Sequence, residues 1–146
     1  MDPGRRVIAP GQPGEQPEKL IAFCRRQVRT QVALDLSRHL HRPAEQRRLA
    51  GLAAADPARC WDRLLFCAKE SVYKAWFPLA RRWLGFGDAD ITIDPDSATF
   101  TATLLVPGPA VGGSTVGAFR GNFAVGNGLI VTAVSVPAPE PRPWPE

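Results

Sequence analysis

The sequence predicts an α+β domain: one long helix packed on a small antiparallel sheet, with helices before it. Three observations carry that prediction. The run from Trp61 to Phe77 contains no Gly or Pro and spaces its apolar residues at about 100° per residue. Downstream, four short stretches rich in β-branched and aromatic residues alternate with Gly, Pro and Asp clusters. The chain has 146 residues and is 45% hydrophobic, which suits one domain with a buried core.

The elements follow in order. Residues Met1 to Pro17 are rich in Pro and Gly and read as a leader without regular structure. Glu18 to Leu40 have helical composition, with Leu20, Ile21, Phe23, Cys24, Val28, Val32 and Leu36 roughly on one side. His39 and His41 flank Leu40. Two histidines two apart do not share a helix face, so they read as surface or loop residues. Pro43 suits the first turn of a helix carrying Glu45, Arg47, Arg48, Leu49 and Leu52. Asp56-Pro57 reads as a cap and first-turn proline opening the central helix.

In that helix Trp61, Leu64, Leu65, Ala68, Val72, Ala75 and Trp76 form a wide apolar arc for the core. Glu70 and Lys74, one turn apart, lie opposite, with Lys69 toward the edge and Phe66, Tyr73 and Phe77 on the same side. A purely solvated face does not usually carry three aromatic rings. Pro78 interrupts the helix or begins a second turn. Leu79 to Leu84 continue it, and Gly85 and Gly87 end it.

Ile91–Asp94 and Ala98–Val106 read as strands joined at Pro95-Asp96-Ser97, followed by a Gly/Pro loop from Pro107 to Gly117. Phe119–Val125 and Leu129–Val136 are strands joined across Gly126-Asn127-Gly128, a strong tight-hairpin signal. Phe119, Phe123 and Val125 alternate to one face. Residues 137–146 form a proline-rich tail. The domain layout is therefore a leader at 1–17, a domain at 18–136 and a tail at 137–146.

Charge and cysteines narrow the class. The formal net charge is +4 and the pI near 9.4, which favours anionic partners. Basic residues are fifteen Arg against three Lys, yet two of those lysines are Lys69 and Lys74. Three cysteines at unpatterned spacings give neither a metal-binding pattern nor a disulfide framework, which suits a reducing cytoplasm. No apolar run approaches the roughly 18 residues of a membrane span. The basic pairs Arg25-Arg26, Arg47-Arg48 and Arg81-Arg82 lack an accompanying nucleic-acid motif, so nucleic acid ranks last among partners. As a bare helix face, Glu70 and Lys74 are an ion pair worth about 0.3–0.5 kcal/mol.

Phe66-Cys67-Ala68-Lys69-Glu70-Ser71-Val72-Tyr73-Lys74 resembles the third signature motif of the 4′-phosphopantetheinyl transferases, W/F-[SCT]-x-K-E-[AS]-x-x-K, with every defined position filled. The continuation Ala75-Trp76-Phe77-Pro78-Leu79 to Arg82-Trp83-Leu84-Gly85-Phe86 is similar to actinobacterial members of the larger, pseudodimeric branch. The resemblance covers roughly Pro43 to Val136, leaving residues 18–42 outside it.

The resemblance implies transfer of the phosphopantetheine arm of coenzyme A to a serine of an acyl or peptidyl carrier protein, with Mg²⁺. Such modification serves siderophore, polyketide and nonribosomal-peptide biosynthesis. Carried over residue by residue, Glu70 is a metal ligand. Lys74 contacts a phosphate, and Lys69 is a second phosphate contact or a helper in proton transfer. Phe66, replacing the family's frequent Trp, shapes the wall, and Glu45 is a base for the serine hydroxyl. Cys67 reads as a small buried thiol rather than a nucleophile.

One departure stands out. The branch normally carries G-[IV]-D-x-E about twenty residues before the acidic position. Here that window, Ala22 to Gln27, holds no carboxylate. The expectation is weak or absent activity for this chain alone, as a truncated form or one completed by self-association. The competing reading is a noncatalytic fragment that binds coenzyme A or a carrier protein.

Overall fold

The computed structural model describes residues 19–27 and 41–137. Its elements are strand β1 (Lys19–Gln27), helix α1 (Pro43–Ala55), helix α2 (Trp61–Ala80), and strands β2 (Ala89–Asp94), β3 (Thr99–Leu104), β4 (Ala110–Val111), β5 (Ser114–Thr115), β6 (Ala118–Gly126) and β7 (Leu129–Pro137). Five strands make one antiparallel sheet in the order β1-β7-β6-β3-β2, and β4 pairs with β5 separately. The α+β class and the long helix are as the sequence predicts.

Helix α2 lies over β1 and β7 and reaches β2 and β3. Its predicted arc, Trp61, Leu64, Leu65, Ala68, Val72, Ala75 and Trp76, is buried throughout, as is Cys67. Phe100, Ala102, Phe119, Phe123, Ile130 and Val134 meet it from the sheet. Each large apolar side chain removed from water stabilises the fold by about 1.5–3 kcal/mol, so this layer holds the helix in place. A buried polar seam fixes its register. The Ser71 and Thr132 hydroxyls are 2.6 Å apart, and Thr132 Oγ1 donates to the Cys67 carbonyl at 3.0 Å.

The tight hairpin forms as expected. Gly126 pairs with Leu129, leaving Asn127 and Gly128 as a two-residue turn with φ of 52° and 71°. That double positive φ favours Asn-Gly. Val125 keeps the parity of Phe119 and Phe123 but lies near the end of the strand and is exposed.

Other expectations are corrected. The helix expected over 18–40 is a strand for residues 19–27; the remainder lies outside the described residues, as do the leader at 1–17 and residues 138–146. A short apolar run such as Leu20–Cys24 cannot be assigned by periodicity alone. The free edge of β7 decides, pairing from Lys19↔Pro137 to Gln27↔Leu129. This makes the main sheet five-stranded rather than four-stranded and carries β7 through Pro137. Asp56 does not open α2. It caps the C-terminus of α1, its N–H donating to the Leu52 carbonyl, while Cys60 is the N-cap of α2. The helix runs through Pro78 but stops at Arg81, which adopts a left-handed conformation at φ 54°. The proline denies the Lys74 carbonyl its intrahelical donor, and the chain turns three residues later, before either glycine. The loop expected over 107–117 contains the β4–β5 hairpin. His41 is buried at 6% exposure rather than on the surface.

Candidate active site

The polar face of α2 does not look into open solvent. Lys69, Glu70, Val72, Tyr73 and Lys74 form one wall of a cavity of about 380 Å³. Trp83, Leu84, Gly85, Phe86 and Ala89 form the facing wall. That volume falls within the range usual for small-molecule sites. The facing wall belongs to the irregular segment after α2, together with Ala89, the first residue of β2. It exists because α2 terminates at Arg81 and the chain doubles back along the helix.

Several contacts hold this segment down. The Trp76 indole N–H donates to the Arg82 carbonyl at 2.8 Å, and the Arg82 guanidinium sits over the Trp76 ring. The Gly85 N–H donates to Asp88 Oδ2 at 2.7 Å, and the Asp88 N–H returns to the Gly85 carbonyl. Phe86 stacks on Phe66 with ring centroids 5.8 Å apart. Tyr73 touches both Phe77 and Trp83, and Trp83 is 72% exposed at the rim.

The cavity lining is chemically mixed. It carries the Glu70 carboxylate and the Lys74 ammonium, both half-buried. Beside them are aromatic and aliphatic side chains, from Tyr73, Trp83, Leu84 and Phe86.

The structure brings together three of the five predicted site residues, Lys69, Glu70 and Lys74. Phe66 stands behind the wall and supports it through Phe86. Lys69, expected at the edge of the polar face, is 5% exposed. Its Nζ donates to Glu45 Oε1 at 2.8 Å and to the Phe86 carbonyl at 2.6 Å. Burial pushes its pKa down, opposed by the Glu45 hydrogen bond.

Glu45 is 1% exposed and lines a different cavity, between α1 and β2, with Arg48, Leu49, Leu65 and Ile91. Its Oε1 also accepts the Arg42 N–H at 2.9 Å, the reach-back bond of a helix start. Its Oε2 accepts the Ile91 N–H at 2.9 Å. Close by, Arg48 pairs with Asp90 at 2.6 Å and donates to the Ile91 carbonyl.

His41 lines a further cavity with Gln46, Leu49, Trp61 and Asp62. Burial, then the nearby Lys69 charge, lowers its pKa below the ordinary 6.5. No local pattern announces the role of the facing wall. The only available signal was the density of Trp83, Leu84 and Phe86 directly after the helix.

Comparison with known proteins decides the family. The family model for the 4′-phosphopantetheinyl transferase superfamily matches residues 21–111. This chain belongs to that superfamily.

Among curated relatives it is 58% identical over 97 residues to the 4′-phosphopantetheinyl transferase Svp of Streptomyces mobaraensis, covering 66% of this chain and 39% of the relative. It is 45% identical over 97 residues to PptT of Mycobacterium tuberculosis, covering 63% and 41%. It is 46% identical over 92 residues to Npt of Nocardia iowensis, covering 58% and 41%. The chain thus spans about two fifths of the length of these transferases. The superfamily match begins at residue 21, inside the segment that the signature resemblance left out, and so includes part of β1. No helix among the described residues is long and apolar enough to cross a membrane.

Proposed function

We propose that this chain contributes the signature half of a 4′-phosphopantetheinyl transferase site, which moves the phosphopantetheine arm of coenzyme A to a serine of an acyl or peptidyl carrier protein. The observation that carries the reading is one cavity lined both by the charged Glu70 and Lys74 and by Tyr73, Trp83, Leu84 and Phe86. Coenzyme A combines the same two characters. Its pyrophosphate is anionic and its pantetheine arm is neutral and slender.

In this scheme Lys74 holds a phosphate oxygen by a charge-assisted hydrogen bond. Tyr73, Trp83, Leu84 and Phe86 line the arm and exclude water from it. The serine oxygen forms a bond to the phosphorus bearing the arm. The bond from that phosphorus to the bridging oxygen breaks, and adenosine 3′,5′-bisphosphate leaves. The serine proton passes to solvent.

Mg²⁺ fits this wall as an ion shared between protein and ligand. Glu70 is the only carboxylate among the described lining residues. No group of three His, Cys, Asp or Glu among the described residues could cage a metal. Mg²⁺ commonly takes one or two carboxylates together with substrate phosphates and waters. When bound, it neutralises charge on the pyrophosphate. Free thiols at Cys60 and Cys67 support a reducing, cytoplasmic setting.

The same shortage of carboxylates favours a second reading, in which the chain binds coenzyme A or a carrier protein without turnover. Radiolabelled coenzyme A with Mg²⁺ and an apo carrier protein tests the two. The transferase reading expects labelled carrier with the wild-type chain and none with Glu70→Gln. Binding of coenzyme A by both, with no labelled carrier from either, supports the second.

A further inference from the structure

Lys69 and Glu45 sit where direct chemistry is expected of them, yet their hydrogen bonds point elsewhere. An ammonium has three N–H donors, and Lys69 commits two of them to protein oxygens at 2.8 and 2.6 Å. The Glu45 carboxylate accepts from three donors at once: Lys69 on α2, Arg42 at the start of α1 and Ile91 on the edge strand β2. At 1% exposure it has no face toward the cavity that contains Glu70.

The pair therefore joins four pieces of chain: α1, α2, β2 and, through the Phe86 carbonyl, the irregular segment carrying the facing wall. Other contacts also hold that segment to α2, among them the Trp76–Arg82 hydrogen bond, the Phe66–Phe86 stack, the Tyr73–Trp83 contact and the buried Leu84 side chain.

We propose that Lys69 and Glu45 are positioning residues, a buried clamp that fixes the Trp83–Phe86 wall at its distance from Glu70 and Lys74 and so sets the width of the cavity. The clamp acts through the backbone at Phe86 and touches no reacting atom. Its effect on ligand affinity rests on reading that cavity as the coenzyme A site; its effect on the wall does not.

The test compares Lys69→Met, Glu45→Gln, the double variant and Lys69→Arg. Amide exchange at residues 84–89 of the ligand-free chain is the first readout. Both single variants are expected to speed exchange there at least tenfold while the centre of α2 and strands β3, β6 and β7 stay protected. Lys69→Arg, which keeps the charge, is expected to recover part of the protection; it also serves if Lys69→Met fails to fold. Unchanged exchange in the soluble variants overturns the clamp.

The second readout is calorimetry with coenzyme A and Mg²⁺. A clamp predicts that both single variants weaken affinity by a similar factor and that the double variant weakens it no further. Weakening by Lys69→Met alone, with Glu45→Gln neutral or tighter, overturns the clamp in favour of direct phosphate contact. Unchanged affinity but lost transfer in Glu45→Gln overturns it in favour of a catalytic base. A wild-type chain that gives no heat refutes the coenzyme A reading, and amide exchange then decides the clamp by itself.

Discussion

Gly121→Ala tests the packing beneath the site. Gly121 lies in the interior of β6, directly opposite Phe100 on β3. Glycine inside a strand normally costs about 0.5–1 kcal/mol relative to alanine, so its presence needs a reason. A Cβ built there falls 2.2 Å from Phe100 Cζ, 2.6 Å from Phe100 Cε1 and 2.7 Å from the Ala133 carbonyl oxygen of β7. The ring lies across the glycine. It cannot withdraw easily, because Phe100 is 2% exposed and packed into the core. The carbonyl belongs to a paired strand and is less able to move.

Overpacking of this kind costs about 1–3 kcal/mol, and gains of about 0.4–1 kcal/mol from the stiffer unfolded chain offset only part. The expected net loss is about 1–2 kcal/mol. At roughly 2–8 °C per kcal/mol, the span that brackets a domain between the small and large size classes, Tm falls by about 2–16 °C in a thermal melt followed by circular dichroism. Phe100→Leu should relieve the clash with the ring, so the double variant should be less destabilised than the sum of the singles, by more than about 0.5 kcal/mol. A Gly121→Ala protein with unchanged or raised Tm would refute the argument.

Three further predictions follow from other parts of the fold. Lys69→Met leaves the Glu45 carboxylate buried without its cation and should cost about 3–5 kcal/mol in denaturant unfolding. Adding Glu45→Leu should recover part of this, although the Arg42 and Ile91 N–H groups then lose their acceptor. Thr132→Val removes the hydroxyl bridging Ser71 and the Cys67 carbonyl and should cost about 1–3 kcal/mol, read from the same unfolding curves. His41 contributes a pH dependence. Because its folded pKa lies below 6.5, the unfolded chain takes up a proton that the folded side chain refuses. Stability from this group is therefore complete above about pH 6.5 and is lost as pH falls through the folded value. Lys69, Glu45 and Asp62 are the charged groups around it. His41→Phe should flatten the stability profile over that interval, and an unaltered profile would show that another group sets it.

What could be read in the sequence was whatever a local pattern determines. The buried arc of α2 follows from helical spacing alone, and the Asn127-Gly128 turn from the rarity of residues that accept positive φ. The signature placed Glu70 and Lys74 together because four residues make one turn. Features set by distant partners were not legible. β1 is a strand because β7 offers an unpaired edge more than a hundred residues away. Lys69 is buried because α1 brings Glu45 over it, and no spacing within α2 announces that. Arg81 ends the helix in a conformation that sequence rules reserve for glycine. The aromatic wall becomes part of a cavity only because of that turn.

The most direct measurement of the central claim is calorimetric titration of coenzyme A into this chain, with and without Mg²⁺, for wild type and Glu70→Gln. A cavity that shares the ion between Glu70 and the pyrophosphate predicts heat that requires Mg²⁺ and is lost in the variant. Equal heats for the two proteins, or heat indifferent to Mg²⁺, would contradict it.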